Sequence, residues 1–212
     1  MKDFYGADLQ PVKALEAIAN PDCGYLYYAK AADFAKIPGS AIAYWITRNF
    51  LNIFENFPQL EEDSKIAAGI STGENDRFIF YWHESKLDSI AFNEHRRESN
   101  KFRFVPHNKG GEFRKWYGNQ NHILAYDQTA ILEMQEKAGF RHDGSKFYFK
   151  ECLSWSKITS SMVAFRYYQS SFSFDSAGIC IFPSNKERVY ALLGILNSKV
   201  VTHILDIINP TL

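Results

Sequence analysis

The chain has 212 residues, with 24 basic and 24 acidic side chains and a formal net charge of zero. Neutrality argues against a protein that grips nucleic acid by bulk charge, and a composition of 46% hydrophobic and 23% charged residues argues against disorder. The three cysteines, Cys23, Cys152 and Cys180, form no Cys-x-x-Cys pair, which gives no zinc-ribbon or redox motif and suits a reducing, cytoplasmic setting.

Residues 8–19 read as a short helix with Val12, Leu15, Ile18 and Ala19 on one face, ended by Asn20-Pro21-Asp22. Tyr25 to Ala35 reads as extended chain. Ser40, after Pro38-Gly39, can cap a helix in which Ile42, Trp45, Ile46, Phe50, Ile53, Phe54 and Phe57 recur at helical spacing. Residues 66–82 read as strand, glycine-rich turn and strand. They are neither a phosphate-binding loop nor a dinucleotide fingerprint, because no Gly-Lys-Ser/Thr follows and no helix is expected after them. Arg77 is the residue there best able to reach DNA, against the alternative of a surface ion pair with Glu74 or Asp76.

Residues 86–99 read as a charged helix and Lys101 to Val105 as a strand. That strand delivers the stretch on which the chain turns, Val105-Pro-His-Asn-Lys-Gly-Gly-Glu-Phe-Arg-Lys-Trp-Tyr117. Gly110 and Gly111 allow a positive φ or a close approach. Lys109, Arg114 and Lys115 supply donors for phosphates or base edges, and Phe113, Trp116 and Tyr117 supply flat faces. Cations interleaved with rings on a glycine-hinged loop suit nucleic-acid contact. The alternative is a surface loop whose rings point inward, and Trp116 in particular reads either as a stacking face or as core, with core preferred. Beyond the loop, His122 to Tyr126 reads as a strand and Thr129 to Ala138 as a helix. Residues 146–183 read as a run of antiparallel strands, with Arg166 buried among aromatics and Asp175 as its candidate partner. Ser184 and Glu187 form a capping box that opens one long helix to about Ile208.

No catalytic set stands out. There is no His-Glu-x-x-His and no Gly-x-Ser-x-Gly, and the six histidines are scattered without metal-ligand spacing. No signal peptide is expected, and no run of about 20 apolar residues could span a bilayer.

Five blocks in fixed order carry a resemblance: Lys36-Ile-Pro-Gly-Ser-Ala-Ile-Ala-Tyr-Trp45, Gly69-Ile-Ser-Thr-Gly-Glu-Asn-Asp-Arg-Phe78 with Tyr81-Trp82-His83-Glu84, Asn108-Lys-Gly-Gly-Glu-Phe-Arg-Lys-Trp-Tyr-Gly118, Tyr148-Phe-Lys-Glu-Cys-Leu-Ser-Trp-Ser-Lys157 and Leu193-Gly-Ile-Leu-Asn-Ser-Lys199. Across residues 36–212 the chain resembles the C-terminal target-recognition region of PglX-type adenine-specific DNA methyltransferases of bacterial phage-defence (BREX) systems. These are similar to Eco57I-like restriction-modification methylases. The family's Phe-x-Gly-x-Gly-like loop for S-adenosylmethionine and its Asn-Pro-Pro-Tyr are missing here, since Asn209-Pro210-Thr211-Leu212 lacks the second proline and the tyrosine.

The resemblance implies a recognition segment with no cofactor of its own. S-adenosylmethionine and the methyl transfer would belong to the catalytic domain of the parent chain. The expected fold is α+β, a mostly antiparallel twisted sheet flanked by helices. Residues 1–60 would lead into a recognition domain at 61–183, closed by a packing helix at 184–212. The expected partner is duplex DNA, read by Lys109, Arg114 and Lys115 first, then Arg77, Asn108 and Asn119, with Gly110 and Gly111 shaping the loop. Docking on another subunit of the defence system is the alternative.

Overall fold

The structure is a computed structural model that describes residues 6–93, 102–158 and 162–208. The chain divides into two compact units, Met1–Phe57 and Pro58–Leu212. In the first unit, helix α1 (Leu9–Ala19) forms where the apolar spacing predicts it, yet it buries Ala17 and leaves Val12, Leu15 and Ile18 exposed. The stretch expected to be extended stays so only to Lys30 and then turns into α2 (Ala31–Phe34). The helix expected from Ser40 starts later. Gly39 and Ser40 take φ of +76° and +53°, so Ser40 is not in the extended conformation that a helix cap needs, and α3 (Arg48–Asn56) begins after Thr47.

The second unit is α+β, as expected, with two four-stranded sheets that are antiparallel apart from one pairing. After α4 (Leu60–Asp63) the strands are β1 (Ser64–Ala67), β2 (Ile79–Tyr81), β3 (Phe104–Asn108), β4 (His122–Ala125), β5 (Cys152–Ser156), β6 (Arg166–Tyr168), β7 (Ser173–Phe174) and β8 (Gly178–Pro183). One sheet has the order β1-β8-β5-β6 and the other β2-β4-β3-β7, where β3 and β7 run parallel. A four-residue helix, α5 (Asn75–Phe78), interrupts the stretch expected to be strand, turn and strand. Residues 146–151, expected as a strand, begin with a 3-10 turn at Ser145–Phe147. Of the stretch expected as a charged helix at 86–99, the described part to residue 93 carries a 3-10 turn at Leu87–Ser89, and residues 94–99 lie outside the described ones.

Side chains alternate along a strand, so each strand of the first sheet serves two layers. Cys152, Tyr168, Cys180 and Phe182 join Val105, Ile123, Leu124 and Phe174 of the second sheet in one core cluster. Their neighbours Leu153 and Ile181, with Phe165, form a second core against α7 (Val189–Leu196). The cap of this last helical segment is Asn185, whose side chain accepts from the Glu187 amide, rather than Ser184. The single long helix expected here is two: α7 and α8 (Lys199–Ile208) meet at a bend of 73°. Among the described residues no single helix is long and apolar enough to cross a membrane. Helix α6 (Gln128–Gln135), capped by the Asp127 carboxylate on the Ala130 amide, flanks the second sheet's core through Ala130 and Met134.

Candidate nucleic-acid interface

The loop that joins β3 to β4 begins where β3 ends inside the core. Gly110, Gly111, Trp116, Gly118 and Asn119 all take positive φ, from +56° to +124°, so the chain doubles back on itself over a short distance. Its underside is sewn to the first sheet by polar groups. Asn108 is buried between the sheets, donating to Ser154 Oγ at 2.7 Å and to the Gly178 carbonyl at 3.3 Å and accepting from the Gly110 amide at 3.0 Å. Strand β8 starts with glycine because a Cβ at 178 would stand 2.7 Å from the Asn108 carbonyl oxygen. Ser156 Oγ donates to the Gly111 carbonyl at 2.7 Å and accepts from Arg166 Nη2 at 3.0 Å. Arg166, 1% exposed, reaches the Arg114 carbonyl through Nη1 at 3.4 Å. The Tyr168 hydroxyl lies 3.2 Å and 3.1 Å from the carbonyls of Gly118 and Asn119.

Two further ties hold the far side of the loop. The Trp116 amide donates to Phe165 O, and Trp116 O accepts from the Tyr167 amide, both at 2.9 Å. Lys115 Nζ donates at 3.0 Å to the carbonyl of Asn197, the residue that caps the C-terminus of α7. A cation suits that helix end, whose last carbonyls lack intrahelical partners. The Asn197 side chain in turn bonds the amide and carbonyl of Phe165.

The outer side is different. Phe113, Trp116 and Tyr117 are 43%, 52% and 66% exposed, so Trp116 is surface rather than core. Arg114 is exposed, and its stem lies over Gly118, where a Cβ would meet the Arg114 Cδ at 2.8 Å. Lys109 is half-buried beside two histidines. Burial first, and then the Lys109 charge, hold His122 below its ordinary range, and Lys109 also opposes protonation of His107. Asn119 is half-buried and donates to the Glu112 carbonyl at 2.8 Å.

Several expected contact residues are therefore spent on the fold. Asn108 is a buried strut, because a polar side chain between two sheets is stable only when its hydrogen bonds are filled from within. Gly110 is buried against Ala177. Lys115 is tethered to α7. Arg77 lies apart from the loop on α5 and pairs with Glu133 of α6 at 2.8 Å, rather than with Glu74 or Asp76. Arg166 is buried as expected, but its partners are Ser156 and a carbonyl. Asp175 instead stands 3.8 Å from His107 Nε2.

That last pair belongs to a group that the sequence hides. His107 Nδ1 is 2.9 Å from Ser173 Oγ, and the Asp175 carboxylate accepts from the Ala177 amide at 2.8 Å. Serine, histidine and aspartate thus meet, but Ser173 and His107 are wholly buried and no substrate could reach the hydroxyl. Burial pushes His107 down, with Asp175 opposing. Burial pushes Asp175 up, but the neighbouring His107 and the hydrogen bond from the Ala177 amide prevail and hold it below the ordinary carboxylate range. Only the β3–β7 pairing, His107 opposite Ser173, brings these residues together. No metal-holding group of three or more His, Cys, Asp or Glu occurs among the described residues.

No protein-family model matches the chain. It is nevertheless homologous to a segment of adenine-specific methyltransferases, as the five ordered blocks imply. Over 219 aligned residues, 99% of this chain, it is 34% identical to the adenine-specific methyltransferase PglX of Lacticaseibacillus casei (strain Zhang), of which it covers 18%. Over 183 residues, 85% of this chain, it is 35% identical to the adenine-specific methyltransferase BrxX of Escherichia coli O9:H4 (strain HS), of which it covers 14%. The chain thus spans less than a fifth of the length of these relatives.

Proposed function

We propose that this chain is the duplex-DNA-reading segment of an adenine-N6 DNA methyltransferase of a bacterial restriction-modification or phage-defence (BREX) system, working in the cytoplasm. The observation that carries the reading is the alignment of nearly the whole chain with a methyltransferase many times its length. The loop supports it: Arg114 stands exposed among exposed rings on a base held from below by Asn108, Ser156, Arg166 and Tyr168. Rigid presentation matters because a bidentate arginine contact to a base edge discriminates by ~1–3 kcal/mol only when its geometry is held. Lys109 and Asn119 are the further contact candidates.

Division of labour follows from the chemistry. Extruding an adenine from the stack costs a few kcal/mol, and a separate reading surface chooses where that cost is met. S-adenosylmethionine binding and methyl transfer then fall to the rest of the parent protein. Fluorescence anisotropy of the chain on a mixed-sequence duplex across a salt series tests the reading. Binding should weaken linearly in log salt, with a slope of a few phosphates. The purified chain should transfer no methyl group from labelled S-adenosylmethionine.

Docking on another subunit of the defence system is the second reading, favoured by the apolar character of Phe113 and Tyr117 beside Arg114, the one exposed cation of the loop. It gains if duplex binding is absent at low salt while a complex with a defence-system subunit survives high salt.

A further inference from the structure

We infer that Trp116 is a stacking wedge for an unpaired nucleobase, so that this chain binds DNA with a base out of the stack more tightly than fully paired DNA. The inference rests on the DNA-reading proposal and goes beyond it, because base-edge reading by Arg114 needs no opened step.

The backbone at Trp116 is strained. Trp116 has a φ of +75°, in the left-handed region, where a bulky L-residue is an outlier. Elsewhere in the same loop that region is filled by Gly110, Gly111 and Gly118, and by Asn119, the residue types that tolerate it best. The conformation at 116 cannot relax, since the amide and the carbonyl on its two sides are both bonded to the β6 segment at 2.9 Å. Glycine would satisfy this backbone without strain. A tryptophan there is normally compensated by burying its ring, but this ring is half exposed and has no ring partner among the described residues. Strain that packing does not offset, fixed by surrounding bonds, points to a function for the side chain.

The surroundings select the ligand. Tyr117 and Phe113 add exposed rings, and Arg114 adds an exposed guanidinium, giving flat faces beside a cation that attracts phosphate. In a paired duplex the base faces are covered by their neighbours. A ring on a rigid support can stack only where a step is open, by a missing, mismatched or extruded base.

Three labelled probes of one sequence test this with the full chain: a paired duplex, the same duplex with an abasic site opposite adenine, and the single strand. The abasic duplex should bind about tenfold more tightly than the paired one, in line with one stacked base. Trp116→Ala should abolish that preference and Trp116→Phe should keep most of it. Trp116→Gly should also abolish it while raising or keeping the thermal midpoint, which separates loss of stacking from loss of fold. Equal binding of abasic and paired DNA by the unsubstituted chain, or a preference that survives Trp116→Ala, overturns the wedge and leaves the reading of duplex DNA standing. Absence of binding to all three probes overturns both.

Discussion

Asn108 and Arg114 belong to one connection and carry similar hydrogen-bonding credentials, yet they end on opposite sides of it. The seam beneath the loop joins two sheets through Asn108, Ser154, Ser156 and Arg166, all of them buried. The crest above it offers Arg114, Trp116 and Tyr117 to solvent. Polar chemistry in this segment therefore has two jobs, and residue type alone does not say which. A side chain on the seam stabilises the fold; a side chain on the crest is left in solvent, where the proposed reading gives it contact.

Substitutions can break this comparison. The largest effect should come from Arg166→Met, which removes a buried charge from Ser156 and the Arg114 carbonyl and should cost about 3 kcal/mol in urea unfolding. Asn108→Ala leaves Ser154 and the Gly110 amide short of a partner and should cost about 2 kcal/mol. Any loss of DNA binding by it should vanish once the folded fraction is corrected for. Lys115→Met should cost about 1 kcal/mol by releasing the α7 terminus. Arg114→Ala should leave the unfolding midpoint in place yet lower the salt slope of duplex binding by about one. Arg77→Ala, which breaks only a surface pair with Glu133, should change neither quantity measurably.

Acid sharpens the same contrast. Burial holds His107, His122 and His142 below the ordinary histidine value of 6.5. The folded state therefore resists protonation that the unfolded chain accepts, so stability is full above about pH 6.5 and falls as the pH drops towards the folded values. Urea midpoints should be flat at and above neutrality and decline below it, and His107→Asn should make that decline shallower.

Local pattern reveals some parts of this molecule better than others. The strands of the first sheet were legible because Leu153 and Ile181 alternate with Cys152 and Cys180, and both faces of the sheet are covered. The break at Asn197 was not, because the apolar positions Leu193, Leu196, Val200 and Ile204 keep helical spacing straight across it. Helix entry at Ser40 failed for the opposite reason: Gly39 and Ser40 reverse the chain by their own dihedrals, which a list of apolar positions cannot register. In the candidate interface, composition picked out the loop and Arg114, which the structure leaves exposed. The seam was hidden, because Asn108 meets partners 46 and 70 residues away. For Trp116 core was preferred to stacking, since an aromatic beside strands normally buries its ring, yet the ring is half exposed.

One residue at the bend has a mechanical consequence. Helix α8 has 10 residues and is an arm about 15 Å long, and its pivot is Asn197. The same pivot holds Lys115 by its carbonyl and Phe165 by its side chain, and Phe165 holds the Trp116 amide. The arm and the crest thus share one bonded anchor, which touches both ends of the Lys115–Trp116 step.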